Sequence, residues 1–121
     1  MAKFVVRQTA TGYQFRLKAG NGETIAASEV YNTRAACMKG VESVKSSCVG
    51  EIEDHTVQSI TAVKNPKFEV YVDKTEEFRF RLKAKNGKVI ATSQGYTTKA
   101  ACENGVASVK KNAPLADIEE A

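Results

Sequence analysis

A chain of 121 residues, 42% hydrophobic and 26% charged, has the size and composition of one ordinary globular domain with a sizeable core. Its apolar runs are too short for a membrane-spanning helix, and its net charge of +4 divides evenly, +2 before Asn65 and +2 from there on, which excludes a basic arm or an acidic tail. The first residues, Met1 to Arg7, enter a strand pattern at once and carry no signal-peptide core, so a cytoplasmic location with three reduced cysteines is expected.

Taken in order, the elements begin with a strand at Phe4-Val5-Val6-Arg7-Gln8. Tyr13, Phe15, Leu17 and Ala19 then alternate with Gln14, Arg16 and Lys18, the period of a half-buried strand. Asn21-Gly22 signals a hairpin. A three-residue loop, Gly20-Asn21-Gly22, sets Leu17 against Ile25, whereas a two-residue loop would turn Ile25 to the face of Lys18. The longer loop is expected, with Gly22 in the left-handed conformation. Asn32-Thr33 supplies cap oxygens for a helix whose stripe is Ala36, Cys37, Gly40, Val41 and Val44. Gly40 inside that stripe costs about 1 kcal/mol relative to alanine, which a close helix-to-sheet approach would justify. Residues 51–63 read as extended, with strand character at Val57, Ile60 and Val63.

The pattern then repeats. Residues 13–47 laid on 78–112 are identical at 20 of 35 positions, and Lys3-Phe4 falls on Lys67-Phe68 after a one-residue shift. The second copy has its own strand (Phe68 to Val72), an alternating strand (Phe78 to Ala84), a hairpin at Lys85-Asn86-Gly87 that sets Leu82 against Ile90, and a helix after Thr97-Thr98 with Gly105 in its stripe. That helix ends before Pro114. Two copies are too few for an open solenoid, so they must close on each other. The resulting expectation is an α+β fold: a tandem duplication of a β3-α-β unit forming one mostly antiparallel sheet, pseudo-two-fold, with two helices on one face. Repeat one spans 3–54, a connector 55–66 and repeat two 67–118, packed on each other as a monomer. The core is expected to combine Phe15, Leu17, Ile25, Val41 and Val44 with Phe80, Leu82, Ile90, Val106 and Val109.

The run Phe80-Arg81-Leu82-Lys83-Ala84, Asn86-Gly87, Ile90 to Ser93, Gly95-Tyr96 and Lys99 to Val106 resembles the YegP-like family of small bacterial proteins. The first copy departs where Val30 replaces Gly95 and Met38-Lys39 replaces Glu103-Asn104. The resemblance covers both repeats and implies the β3-α-β unit and a continuous sheet with exchanged C-terminal strands. It implies no activity.

Candidate chemistry is sparse. Cys37 and Cys102 sit on the apolar helix stripes and read as small core hydrophobes; Cys48, unmatched in the second copy, reads as partly exposed. His55 stands alone and reads as a surface histidine. Glu23, Glu29, Glu42, Asp73, Glu76 and Glu77 form no recognisable acid-base pair, and no catalytic, cofactor or metal residue is expected. One non-structural signal remains. Arg16, Lys18, Arg79, Arg81 and Lys83 lie on the polar face of the two alternating strands, facing small neighbours across the hairpin, with Tyr71 as the main aromatic. The leading expectation is a non-enzymatic structural or interaction module. The alternative is weak, sequence-indifferent binding of nucleic acid or another polyanion through that basic face.

Overall fold

The computed structural model describes residues 2–121. In chain order the elements are β1 (Lys3–Gln8), β2 (Tyr13–Lys18), β3 (Thr24–Ala27), α1 (Arg34–Ser47), β4 (Glu51–Asp54), β5 (Lys67–Val72), β6 (Phe78–Lys83), β7 (Val89–Thr92), α2 (Lys99–Asn112), a 3₁₀ turn (Ala113–Leu115) and β8 (Asp117–Glu120). All eight strands form one sheet in the order β4-β5-β6-β7-β3-β2-β1-β8. The connector 55–66 contains no strand, contrary to the hint in Val57, Ile60 and Val63; the extended segment is β4, which lies before it.

The duplication is visible in this order. Each unit contributes an antiparallel three-stranded meander, and the two meanders meet where Ala27 faces Thr92. These two residues occupy the same place in their repeats, so the pseudo-two-fold axis passes between them. Each unit's last strand crosses to the other unit: β4, from repeat one, pairs in parallel with β5, and β8, from repeat two, pairs in parallel with β1.

One face of the sheet carries the core. Phe4, Val6, Phe15 and Leu17 join Phe68, Val70, Phe80 and Leu82 beneath α1 and α2 in a single cluster, and all ten expected core residues are buried there. Phe4 meets Phe15 edge-on at 5.8 Å between ring centroids, as Phe68 meets Phe80. Both helices begin at a threonine whose hydroxyl accepts an amide hydrogen of the first turn, Thr33 from Ala36 and Thr98 from Ala101, each at 3.1 Å. The mid-helix glycines are explained by crowding. A methyl group on Gly40 would lie 2.5 Å from the Tyr31 hydroxyl and 3.0 Å from Phe15, and one on Gly105 would lie 2.6 Å from the Tyr96 hydroxyl and 2.9 Å from Phe80.

The hairpin loops have the expected length, with Gly22 at φ 85° and Gly87 at φ 84°. The register beyond them differs from expectation. Lys18 pairs with Thr24 as it should, but Ile25 is an extra bulged residue and Leu17 pairs with Ala26; likewise Lys83 pairs with Val89 and Leu82 with Ala91. The bulge sends both Ile25 and Ala26 into the core. The strand then leaves the ladder through a serine: Ser28 Oγ accepts the Phe15 amide hydrogen at 3.0 Å and donates to the Glu29 carbonyl, and Ser93 does the same for Phe80 and Gln94.

Candidate functional site

The face turned away from the helices is lined by alternate residues of the strands. In repeat one these are Lys3, Val5 and Arg7 of β1, Gln14, Arg16 and Lys18 of β2, and Asp117 and Glu119 of β8. Their counterparts in repeat two are Lys67, Glu69 and Tyr71 of β5, Arg79, Arg81 and Lys83 of β6, and Glu51 and Glu53 of β4. All five candidate cations, Arg16, Lys18, Arg79, Arg81 and Lys83, therefore share this face, although they are half-buried rather than freely exposed.

The two halves treat these cations differently. In repeat two, Glu69 is buried on β5 directly opposite Arg81. Its carboxylate accepts from Arg81 Nε at 2.6 Å and lies 3.2 Å from Lys83 Nζ and 3.6 Å from Lys67 Nζ. Burial pushes the Glu69 carboxyl up, but hydrogen bonds from Arg81 and Lys83 outweigh it, and the net shift is downward. The Arg81 guanidinium also lies 4.4 Å from the Tyr71 ring centroid, so that ring is already stacked. Arg79 donates to Asp73 at 2.6 Å, and this bond leads the downward shift of the Asp73 carboxyl.

Glu53 completes the cluster from the exchanged strand. It accepts from Lys67 Nζ at 2.8 Å and from the Val63 amide at 2.7 Å, and lies 2.5 Å from His55 Nε2. Hydrogen bonding by Lys67 first, then by Val63 and His55, lowers its carboxyl to about 2. His55 is thus not a free surface histidine: it is half-buried and ties the start of the connector to this cluster. Glu53, His55 and Glu69 do bring three potential metal-ligand atoms within 4.8 Å of one another. However, Lys67, Arg81 and Lys83 already occupy both carboxylates, so a metal ion would have to displace cations from a cluster that is positive without it.

In repeat one the anchors are gone. Val5 stands in place of Glu69, Arg7 in place of Tyr71 and Gln14 in place of Arg79. Arg16 and Lys18 make no ion pair among the described residues, while Lys3 reaches Glu119 at 3.0 Å. Four cations (Lys3, Arg7, Arg16, Lys18) face two carboxylates here, Asp117 and Glu119, a local charge of +2. In repeat two, four cations (Lys67, Arg79, Arg81, Lys83) face Glu51, Glu53, Glu69 and Asp73, a local charge of zero.

The same comparison exposes a matched pair of latches. Lys3 with Glu119 corresponds to Lys67 with Glu53 on the open face. On the other side of the strands, Arg34 grips Glu120 through two bonds of 2.5 and 2.6 Å, and its counterpart Lys99 pairs with Asp54. In each case the start of one repeat's helix holds the last strand of the other.

The cysteines offer no nucleophile. Cys37, Cys48 and Cys102 are all buried free thiols, Cys48 included, contrary to the exposure expected of it. Burial raises all three, Cys102 to about 11.

Comparison with known proteins places this architecture. The family described as a domain of unknown function, DUF1508, matches residues 9–54 and again 73–120. A protein of Stutzerimonas stutzeri, "UPF0339 protein in ptx operon 5'region", is 36% identical over 116 residues, covering 96% of this chain and 92% of that one. The solution structure of yegP from E. coli, a protein of unknown function, superposes with a TM-score of 0.80 at 32% identity, covering 98% of this chain and 91% of that one. A UPF0339 protein of Treponema denticola is 57% identical over 54 residues, 45% of this chain but 93% of its own length, so it carries the unit once. The chain belongs to the DUF1508/UPF0339 family, in the tandem-repeat form of the YegP-like proteins.

Proposed function

We propose that this protein is a non-enzymatic interaction module whose contact surface is the repeat-one half of the open sheet face, and that its partner is a polyanion held through Arg7, Arg16 and Lys18. The observation that carries this reading is the asymmetry between the copies. One duplicated scaffold neutralises Arg81 and Lys83 with a buried glutamate and leaves the equivalent Arg16 and Lys18 beside a valine. Three cations on a flat strip suit phosphates spaced along a chain and offer nothing that reads bases, so binding is weak and indifferent to sequence.

The test is a labelled single-stranded DNA oligomer titrated at two salt concentrations. Affinity should fall with salt at a logarithmic slope of about −2, as two or three phosphate counterions are released at roughly 0.7 each. Arg16→Gln with Lys18→Gln should weaken binding to all sequences alike, whereas Arg81→Gln with Lys83→Gln should change it little. If no binding is seen at low salt, the strip is a solvated surface and the polyanion reading is wrong.

A further inference from the structure

On the helix side of the sheet, a groove of about 250 Å³ runs between the β2-β3 hairpin of repeat one and α2 of repeat two. It is built by both units, since neither hairpin faces its own helix there. Its polar lining includes Asn21, Glu23, Thr24, Gln94, Tyr96 and Asn104. Tyr96 owes its place to Gly105, which lets the phenol lie directly against the helix backbone. The lining contains no cation, in contrast to the open face.

The pseudo-two-fold axis supplies an internal reference. At the equivalent positions of the other half, Asn86 and Tyr31 are kept, but Lys88 stands for Glu23, Val89 for Thr24, Glu29 for Gln94 and Lys39 for Asn104. The shared fold therefore does not require Glu23, Thr24, Gln94 or Asn104. Asn21, by contrast, also holds the turn: its Oδ1 accepts the Glu23 amide hydrogen at 3.0 Å, as Asn86 accepts that of Lys88. Carboxamides both donate and accept, a threonine or tyrosine hydroxyl does the same, and a carboxylate accepts from two hydroxyls at once. Adjacent hydroxyls on a saturated ring present this mixture of donors and acceptors, and an aromatic side chain offers an apolar surface for the ring's C–H face.

We propose that this inter-repeat groove binds a neutral carbohydrate, with Asn21, Glu23, Gln94 and Asn104 hydrogen-bonding ring hydroxyls and Tyr96 contacting the ring. The site is independent of the basic strip on the opposite face.

The test is an amide-resolved NMR titration of the full chain with glucose, galactose and N-acetylglucosamine in the millimolar range. Saturable shifts should centre on Asn21, Glu23, Gln94, Tyr96 and Asn104. The combined variant Thr24→Val, Gln94→Glu, Asn104→Lys carries residues the other half already tolerates, so its spectrum should remain folded, and it should bind at least about tenfold more weakly. Arg16→Gln should leave the sugar shifts unchanged. Absence of saturable shifts with all three sugars, shifts that survive the combined variant, or tighter binding of ethylammonium at the same amides would overturn the assignment.

Discussion

Replacing Gly105 with alanine sets two known effects against each other, and the structure decides the sign. Alanine is favoured over glycine inside a helix by about 1 kcal/mol. Against that, the new methyl group would stand 2.6 Å from the Tyr96 hydroxyl and 2.9 Å from Phe80. Phe80 is fully buried and cannot retreat, so helix and sheet must part. Overpacking of this kind costs about 1–3 kcal/mol, and two simultaneous clashes argue for the upper part of that range. The expected net result is a loss of about 1–2 kcal/mol, read as a lower urea midpoint at unchanged slope. Adding Tyr96→Phe removes the nearest clashing atom but leaves the one with Phe80, so it should restore part of the loss. A double-mutant cycle should therefore give a coupling of at least about 0.5 kcal/mol. A Gly105→Ala protein as stable as the parent, or more so, would refute the claim that close approach is what retains the glycine.

Three further outcomes follow from the charged features. Glu69→Val makes repeat two resemble repeat one; it should cost about 1–3 kcal/mol, less than breaking a fully buried pair because Arg81 and Lys83 keep partial access to water, and it should increase retention on a polyanion column. Glu53, held at about 2 against an ordinary 4.5, stabilises the fold at and above the latter pH, and this contribution should fade as pH drops between those values. Melting temperatures measured across that window should fall less steeply in Lys67→Met, and an unchanged slope would contradict the role given to Lys67. Finally, residues 66–121 expressed alone should form a dimer by light scattering, with β8 of each copy beside β5 of the other; a stable monomer would contradict mutual strand exchange.

What could be read from the sequence was whatever depends on local periodicity. Alternation at Phe15 and Leu17 located the buried face, Asn21-Gly22 located the turn, and the glycine at 40 and again at 105 announced a tight contact. The bulge at Ile25 was hidden because Ile25 and Ala26 are both apolar: either can stand opposite Leu17, and only the sheet's need to bury both selects the bulged register. Glu69 was within reach, since pairing Phe68 with Leu82 puts it opposite Arg81. Glu53 and His55 were not. Their role depends on where an exchanged strand lands and how a patternless connector returns, and neither leaves a periodic trace.

The exchanged strands have a consequence for how such a protein can diverge. Were the same architecture built from two separate single-unit chains of one sequence, any substitution would occur in both, and an altered surface patch would always come with its twin. Once the copies are fused in one chain, a change can be made on one side only. The latches keep a cation in each half opposite a carboxylate on the incoming strand, Arg34 with Glu120 and Lys99 with Asp54, so pairing still demands agreement between the copies. Val5 opposite Arg16 and Glu69 opposite Arg81 sit on the same lattice of strands without that demand. Fusion thus separates the positions that must stay alike from those free to specialise, and the chain holds its symmetry at the seams while giving the two halves of its open face different chemistry.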